Sequence, residues 1–244
     1  MTRKMLIISN PGEPEAENYC EGVNKDVENY KHFFTSALGG GWHRSEIIHL
    51  HRPSPDQVNN ALQAIKESDY SMVIFCGHGY SYHGETIVEL KKDYDYKASS
   101  FRNSIGKRTV ILDCCRVIAK EITTGIYEFA HRYLEQRDMN ILEARQYYDE
   151  QLLKCPNGLV VMNACDLNET AGDDEKQGGY YSHSLMECAT KWFEGKTELK
   201  KECMSVVSVH NVAAERVRLL SGGKQNPKIE KPRSLPYYPF AVIV

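Results

Sequence analysis

Three features that would assign a function on their own are missing from this chain of 244 residues. No apolar run approaches the roughly 18 residues of a membrane-spanning helix. The net charge is −3 and no block of lysine and arginine stands out, so an electrostatic footprint for nucleic acid is lacking. No GxxxxGK(S/T) or GxGxxG sequence follows an apolar run, which argues against a nucleotide-binding domain. We therefore expect neither a membrane nor a nucleic acid as partner.

The cysteines form no CxxC pair, which argues against a zinc ribbon and against a thioredoxin-type redox site. The first residues, MTRKMLIISNPGE, contain only a short apolar stretch that soon meets proline and glutamate. They predict a first strand rather than a signal peptide, so reduced thiols and a cytoplasmic location are expected. The eight cysteines are Cys20, Cys76, Cys114, Cys115, Cys155, Cys165, Cys188 and Cys203.

Short apolar runs alternate with segments of helical periodicity along the chain. SMVIFCG (Ser71–Gly77) and RTVILD (Arg108–Asp113) are largely apolar, as in strands buried on both faces of a parallel sheet. GVNKDVENYKHFFTSAL instead repeats its apolar residues at a helix period. This alternation predicts a three-layer α/β domain with helices on both faces of the sheet. Neither a repeat nor a linker divides the sequence, so a single domain over residues 1–244 is expected.

The predicted elements follow the same periodicities. Ser54 is predicted to cap a helix that begins at Pro55. The predicted strands are residues 4–9, 46–51, 71–77, 108–113, 158–164 and 237–244. The predicted helices are residues 22–38, 54–68, 184–194 and 203–220, with a largely helical stretch from 117 and a loop at 222–234.

Two chemically capable side chains follow two of the predicted strands. His78 stands between two glycines just after MVIFCG, and Cys115 stands two residues after Asp113, at the end of TVILD. Loops at the carboxyl ends of parallel strands gather ligands and catalytic groups, and adjacent strands lie about 4.8 Å apart. His78 and Cys115 are therefore candidates for a base and a nucleophile around one substrate carbonyl. Core thiols beside a turn histidine are the alternative.

The pair of motifs GHGYS (Gly77–Ser81) and LDCCR (Leu112–Arg116) resembles the caspase-like cysteine peptidases, and most of all the paracaspases and metacaspases. Paracaspases carry a Gly-His-Gly-Tyr stretch and a Leu-Asp-x-Cys-Arg stretch. Nearly the whole chain takes part, because LIISN, GVNKDVENYKHFF, CDLNETAGD with GGYYSHSLM, and KQNPKI with YYPFAVIV resemble further family segments. The resemblance implies a caspase-like fold, with a mostly parallel central sheet of about six strands.

The resemblance also implies roles for individual residues. Cys115 is the expected nucleophile, because the family's cysteine stands two positions after the aspartate. His78 would withdraw the thiol proton or donate a proton to the leaving amine. The backbone N–H groups of Gly79 and Cys115 would form the oxyanion hole. Cys114 would depart to the opposite face as a packed core thiol.

Three acids match the pocket of metacaspases and paracaspases, which cut after basic residues: Asp26, Asp113 and Asp173. Clustered carboxylates repel each other unless a cation shares the site, and an arginine guanidinium satisfies them with bidentate hydrogen bonds. We expect cleavage after Arg, with Lys second. Asp26 also fits a solvated helix face, because it stands in a helical pattern, and VNKDV carries one insertion relative to the family's spacing. The register is open between Asp173 and the two acids that follow it, Asp174 and Glu175.

The segment 117–154 is longer than the resemblance implies between these strands. It is predicted to be a helical insert that acts as a regulatory element, a partner-binding surface or a site of self-cleavage. Arg132, Arg137 and Arg145 offer basic cut sites in it, although helical backbone resists cleavage unless it opens. Arg116, next to the expected nucleophile, is predicted to brace a loop rather than to meet substrate.

The implied function is that of a cysteine endopeptidase acting on protein substrates in signalling, cell death or defence. The alternative is a catalytically inactive scaffold or partner-binding module, against which the presence of both His78 and Cys115 argues. Metacaspases often need calcium, but Asp173–Glu175 forms no recognisable calcium loop, so no cofactor and no metal site are expected. A homodimer through the last strand, burial of that strand within a monomer, and a separate activator protein all remain open.

Overall fold

Thirteen strands and five helices form the part of the chain that the structure describes, residues 1–116, 139–197 and 200–244 of a computed structural model. The strands are β1 (Arg3–Asn10), β2 (Ile47–His51), β3 (Tyr70–Gly77), β4 (Gly79–Tyr82), β5 (Glu85–Lys91), β6 (Tyr94–Lys97), β7 (Lys107–Asp113), β8 (Gly158–Asn163), β9 (Asp173–Asp174), β10 (Gly178–Gly179), β11 (Glu202–Ser205), β12 (Lys228–Glu230) and β13 (Pro239–Ile243). The helices are α1 (Gly22–Thr35), α2 (Pro55–Ala64), α3 (Ile141–Lys154), α4 (Tyr180–Glu194) and α5 (Val206–Leu220).

The central sheet has six strands in the order β12-β8-β7-β3-β1-β2. Five of them are parallel, and the edge strand β12 is antiparallel to β8. The predicted α/β fold with a mostly parallel sheet of about six strands is therefore confirmed. Because the inner strands are parallel, their carboxyl ends all lie at one edge of the sheet.

Two hydrophobic clusters cover the two faces of this sheet. Met5 and Ile7 of β1 belong to the cluster that includes buried residues of α1, α3, α4 and α5. Leu6 and Ile8 belong to the other cluster, with residues of α2 and β5. A strand covered on both sides needs apolar side chains at successive positions, which explains why β1, β3 and β7 were found from continuous apolar runs.

The helices α1 and α2 confirm the periodicities from which they were predicted. The apolar positions of α1, including Val27 and Tyr30, are buried. The hydroxyl of Ser54 caps α2 by accepting from the backbone N–H of Gln57 at 3.3 Å, and Pro55 is the first helical residue. None of the described helices combines the length and the apolarity needed to cross a bilayer.

The structure contains a small antiparallel sheet, β4-β5-β6, that was not predicted from the sequence. It begins at Gly79, immediately after His78, and β5 pairs with both of its neighbours. Its outer strands, GYSY and YDYK, are four residues long and mix tyrosine with polar residues. Strands this short and this polar give no clear period-two signal.

The C-terminal part differs from the prediction in three places. The predicted helix 203–220 begins only at Val206, because residues 202–205 form β11, and the predicted helix 184–194 begins earlier, at Tyr180. Ser205 starts α5 as its cap, its hydroxyl accepting from the backbone N–H of Ser208 at 3.0 Å. The expected loop 222–234 contains β12, which completes the central sheet.

The last strand, β13, pairs antiparallel with β11 and not with the central sheet. All five of its residues are buried, and the backbone N–H of Val242 donates to the carbonyl of Leu38 at 2.9 Å. This is the placement expected if the strand packs within the monomer. A homodimer through this strand stays a prediction.

Most of the predicted helical insert lies outside the described residues, including Arg132 and Arg137. The described end of it is α3, where Arg145 makes two hydrogen bonds to Glu46, at 2.8 and 2.6 Å, and a third to the carbonyl of Gly41. An arginine held in this way by a carboxylate is not presented as a cleavage site.

The end of β3 approaches β1 so closely that the position of Gly77 has no room for a side chain. Gly77 has φ +146°, and a Cβ on it would overlap the carbonyl group of Asn10. Gly84, in the turn after β4, also has a positive φ, +79°, but open space around it. Glycine is therefore required at position 77 both by its positive φ and by the close approach of Asn10, and at position 84 by its positive φ alone.

Gly77→Ala and Gly84→Ala form a matched pair. Both place a side chain on backbone with positive φ, at a cost of about 1 kcal/mol, but only Gly77→Ala forces β1 and β3 apart. We expect Gly77→Ala to lower the free energy of unfolding by about 2 kcal/mol more than Gly84→Ala in urea titrations. Equal losses would contradict the close approach of Asn10.

Candidate active site

The register of the central sheet brings His78 and Cys115 to the same edge. Cys76 of β3 lies directly opposite Asp113 of β7. His78 is two residues beyond Cys76, and Cys115 is two residues beyond Asp113. Both side chains are half-buried. The two candidates therefore lie at equivalent positions at the ends of neighbouring parallel strands, as the sequence predicted.

The imidazole of His78 is held by a backbone carbonyl. Its Nε2 lies 3.2 Å from the carbonyl oxygen of Pro11, which can only accept a hydrogen bond, so Nε2 carries the proton. In the neutral ring Nδ1 is then the free acceptor. The same carbonyl accepts from the backbone N–H of Cys20 at 2.8 Å, and a Cβ on Gly12 would lie 3.1 Å from His78 Nε2. The loop from β1 to α1 thus packs directly against the ring and sets its tautomer.

The thiol of Cys115 rests against the backbone of Ala171. Its Sγ donates to the carbonyl oxygen of Ala171 at 3.5 Å and accepts from the backbone N–H of the same residue at 3.4 Å. Burial raises the pKa of the Cys115 thiol above its ordinary value, and the nearby Asp113 adds to the rise. The sulfur is therefore protonated at neutral pH, and in the described part of the chain no hydrogen bond joins it to His78.

The backbone N–H of Gly79 is left unused by the sheet in which it lies. The N–H of Glu89 donates to the carbonyl of His78 at 3.0 Å, so these two residues form a hydrogen-bonded pair. Pairs alternate along an antiparallel ladder, and Gly79 opposite Val88 is therefore a non-hydrogen-bonded pair whose N–H points away from β5. A Cβ on Gly79 would lie 2.9 Å from the sulfur of Cys114, so this position excludes a side chain.

Cys114 is confirmed as a packed core thiol. It is 2% exposed and belongs to the hydrophobic cluster on the α2 side of the sheet.

Arg116, the residue after Cys115, holds a loop in place as expected. Its side chain donates to the hydroxyl of Thr86 at 2.9 Å and to the carbonyl of Cys165 at 3.1 Å, and its backbone N–H donates to the carbonyl of Glu169 at 2.9 Å.

Asp26 and Asp113 meet at the start of α4. Asp26 is 3% exposed, so the alternative of a solvated helix face is wrong. Its Oδ1 accepts from the backbone N–H of Gly179 at 2.8 Å and contacts the hydroxyl of Ser182. Asp113 is 7% exposed, and its Oδ2 accepts from the backbone N–H of Ser182 at 3.0 Å. Two carboxylates from distant parts of the chain are thus tied to one helix terminus, whose dipole favours negative charge.

Asp173 lies close enough to Asp26 and Asp113 for its negative charge to raise the pKa of both. A Cβ on Gly22, the first residue of α1, would lie 2.7 Å from Asp173 Oδ2, and Cys20 is a hydrogen-bonding neighbour of this carboxyl. Asp174 instead closes a turn, its Oδ1 accepting from the N–H groups of Lys176 and Gln177 at 2.9 and 3.0 Å. Of the consecutive acids in this segment, Asp173 is therefore the one that joins the cluster.

Burial raises the pKa of all three acids. The pKa of Asp113 rises to about 6, and that of Asp26 rises well above its ordinary value because the negative charge of Asp113 adds to the burial. Burial also raises the pKa of Asp173. The Ser182 hydroxyl lies 2.9 Å from the carbonyl of Gly179 while it also contacts Asp26, and its single proton cannot serve both acceptors. A proton on Asp26 would resolve this competition, in keeping with the raised pKa of its carboxyl.

Four residues of this site were not predicted as functional: Pro11, Ala171, Gly179 and Ser182. Pro11, Ala171 and Gly179 act through backbone groups, for which side-chain patterns give no signal. The only sequence signal for Ser182 was the stretch GGYYS, in which two glycines precede a helix whose third residue carries a hydroxyl. Among the described residues, no three or more His, Cys, Asp or Glu side chains are arranged to hold a metal ion.

Comparison with known proteins gives two findings. A family model described as caspase domain matches residues 2–236. The crystal structure of caspase-1 from Spodoptera frugiperda matches with a TM-score of 0.60 at 10% sequence identity, over 94% of this chain and 86% of that chain. No curated protein matches the sequence. At this identity, the structural likeness carries the fold alone.

The buried carboxyl of Asp113 should make stability depend on pH. Its pKa is about 6 in the folded protein and about 3.9 in an unfolded chain, so the folded state binds more protons between these values. Stability is therefore lost as the pH rises from about 4 to about 6. The amide of Asp113→Asn does not titrate and still accepts from the backbone N–H of Ser182. The free energy of unfolding of this variant should therefore rise, relative to that of wild type, by on the order of 2–3 kcal/mol over that pH range.

Urea unfolding of wild type and Asp113→Asn at pH 4.5 and pH 7.5 measures this difference. Asp56→Asn, which changes an exposed acid in the first turn of α2, is the control and should show no such pH dependence. A difference between Asp113→Asn and wild type that stays constant, or that favours wild type as the pH rises, would show that Asp113 is not buried as an acid.

Proposed function

Because the chain belongs to the caspase domain family of cysteine peptidases, we propose that it is an endopeptidase in which Cys115 attacks the peptide bond and His78 moves the proton. The observation that supports this most directly is the contact of His78 Nε2 with the carbonyl of Pro11, 3.2 Å long. It leaves Nδ1 as the free base, on the strand end adjacent to that of Cys115. A histidine that only filled a turn would need no fixed tautomer.

Attack begins with a proton transfer, because the thiol is protonated at rest. The sulfur leaves its contacts with Ala171 and passes its proton to His78 Nδ1, and the Sγ–C bond forms as the carbonyl electron pair moves to oxygen. The N–H groups of Gly79 and Cys115 receive the oxyanion. The imidazolium keeps its Nε2–H bond to the carbonyl of Pro11, which strengthens when the ring is charged.

The intermediate then collapses with cleavage of the C–N bond. His78 Nδ1 returns its proton to the leaving amine, which departs with the C-terminal part of the substrate. Water, deprotonated by His78, hydrolyses the thioester and regenerates the thiol. The sequence of steps needs no other acid or base than His78.

The acids Asp26, Asp113 and Asp173 form the proposed pocket for the side chain before the scissile bond. They offer buried carboxylates and hold at least one proton that an incoming cation displaces. A guanidinium can hydrogen-bond two carboxylates at once in its plane, whereas an ammonium is a point charge, so Arg is favoured over Lys. Ser182 contacts both Asp26 and Asp113 and so orients their two carboxyl groups relative to each other.

One observation favours the second candidate, an inactive scaffold or partner-binding module. The sulfur of Cys115 is held by Ala171 and makes no hydrogen bond to His78 within the described residues. Under the leading proposal this is a resting state that substrate, an activator protein or a second copy of the chain relieves. Such a resting state suits a cytoplasmic peptidase that works in signalling, cell death or defence.

A peptide that ends in Arg followed by an aminocoumarin separates the two candidates. We expect wild type to release the fluorophore, Cys115→Ala to lose all turnover, and His78→Ala to fall by about 10²–10⁴-fold in kcat. Cys203→Ala changes another half-buried thiol, on β11, and is the matched control. No turnover by wild type with calcium, with an activator extract or at concentrations that drive dimerisation would support the inactive module.

The pocket is tested separately by a peptide library varied at the residue before the scissile bond. Wild type should prefer Arg, then Lys, over neutral residues. Asp113→Asn and Asp26→Asn each remove one carboxylate and should reduce the Arg preference by about tenfold or more in kcat/KM, whereas Asp56→Asn should not. An unchanged basic preference in both pocket variants would place the specificity elsewhere.

A further inference from the structure

The small sheet that follows His78 has one face packed on the core and one face turned away from it. Successive residues of a strand point to opposite sides, and residues directly opposite on paired strands point to the same side. Val88 and Leu90 of β5 point into the core cluster on the α2 side. The opposite set therefore turns away from that core, and we call it the His78 face. Seven polar or aromatic residues belong to it: His78, Tyr80, Tyr82, Glu85, Glu89, Asp95 and Lys97. Ile87 belongs to the same set but is only 7% exposed.

Glu89 is the cross-strand neighbour of His78. The hydrogen bond from its backbone N–H to the carbonyl of His78 makes the two residues a directly opposed pair, with side chains on the same side about 5 Å apart at Cβ. The carboxylate of Glu89 is half-buried and has no ion-pair or hydrogen-bond partner among the described residues. An unneutralised acid thus stands next to the proposed general base.

The charge of the His78 face is negative where it adjoins His78. Lys97 forms an ion pair with Glu85 at 3.7 Å, on the part of the face away from His78. Asp95 lies opposite Glu89, and its Oδ2 accepts a hydrogen bond from the hydroxyl of Tyr80 at 2.6 Å. This neutral donor orients the carboxylate without cancelling its charge. Glu89 and Asp95 therefore leave two negative charges side by side.

Aromatic surface lies beside these charges. Tyr82 is 61% exposed, two residues along β4 from Tyr80 and on the same side of the strand. Tyrosines that combine exposed rings with hydroxyl groups are enriched where proteins bind other chains. Lys91, the nearest lysine on β5, is folded over the ring of Tyr94, 4.7 Å from its centre, and does not neutralise the acids.

The proposed chemistry fixes which part of a substrate passes this surface. The general acid must stand at the leaving nitrogen, so the residues after the scissile bond start at His78. The side chain before the bond enters the acid pocket, which is built on α1 and α4 and lies on their side of the central sheet. The β4-β5-β6 sheet packs on the other side. The two halves of the substrate therefore diverge to opposite faces of the central sheet.

Resting on the proposed function, we infer that the His78 face binds the substrate segment after the scissile bond and selects basic side chains there, with Glu89 and Asp95 as specificity-determining residues. The occupant is an extended peptide with Lys or Arg within its first three positions after the cleaved bond. The surface is continuous with His78, and its charge is complementary to such a peptide. Tyr80 acts as a positioning residue, because it touches Asp95 and orients it.

The test uses internally quenched peptides that share Arg before the scissile bond and carry either Lys or Glu at the first three positions after it. We expect wild type to cleave the Lys peptides with a kcat/KM about three- to tenfold higher at low salt, and the ratio to shrink at 0.5 M salt, where charges are screened. The Arg-aminocoumarin peptide has no residue after the bond, so it reports the general effect of each substitution, and the Lys-to-Glu ratio is the readout.

Substitutions assign the effect to the residues named. Glu89→Gln should lower the Lys-to-Glu ratio most, Asp95→Asn should lower it as well, and Tyr80→Phe should lower it in part while the ring remains. Glu67→Gln changes an exposed acid in the turn after α2 and should leave the ratio as it is.

The outcomes are distinguishable. Turnover of Arg-aminocoumarin without any charge preference after the bond would overturn the inference and leave the proposed function standing. A preference that persists in the Glu89→Gln, Asp95→Asn double variant would overturn it too. No cleavage of any of these substrates by wild type would overturn the proposed function itself.

Discussion

The site depends on one buried side chain, that of Asn10, which joins three segments around His78. Asn10 is 2% exposed and ends β1 opposite Gly77 of β3. Its Oδ1 accepts from the backbone N–H of Gly12 at 3.1 Å, which fixes the loop that carries the Pro11 carbonyl, and its Nδ2 donates to the carbonyl of Glu89 at 2.8 Å, which fixes β5. The tautomer of the histidine, the free N–H of Gly79 and the position of Glu89 all follow from this one amide. An amide is suited to the task because it offers both a donor and an acceptor to buried backbone groups that would otherwise be unsatisfied.

The acid cluster is a second constraint, and it opposes stability. A helix terminus and a serine hydroxyl compensate only part of the cost of burying the carboxyls of Asp26 and Asp113, as their raised pKa values show. A Tyr30 hydroxyl one helical turn after Asp26 is buried without a hydrogen-bond partner among the described residues. Purely structural packing would place apolar groups here. Under the proposed function, the guanidinium of a substrate arginine would supply the missing donors and charge.

The sequence predicted those parts of the molecule whose physics is periodic. Strands buried on both faces must be continuously apolar, so β1, β3 and β7, and with them the positions of His78 and Cys115, could be read directly. The edge strand β12 and the small sheet β4-β5-β6 have only a few residues each, and charge or tyrosine interrupts their pattern. The backbone contacts of Pro11 and Ala171 leave no trace in residue type at all. The backbone groups that orient His78 and Cys115 could therefore not be predicted from the sequence, whereas the two side chains themselves could.

The resting contact between Cys115 and Ala171 is best relieved by motion of the sulfur rather than of the loop. Glu169 on one side of Ala171 is held by both Asn226 and the backbone of Arg116, and Gly172 on the other side accepts from Tyr180. Anchors so close on both sides leave Ala171 little freedom, whereas a thiol makes only weak hydrogen bonds and turns about a single side-chain torsion. In the proposed mechanism, this rotation carries the sulfur toward a substrate carbonyl held by the N–H of Gly79. Under the proposed mechanism, attack and release from Ala171 are then one movement, which requires no large rearrangement of the described residues.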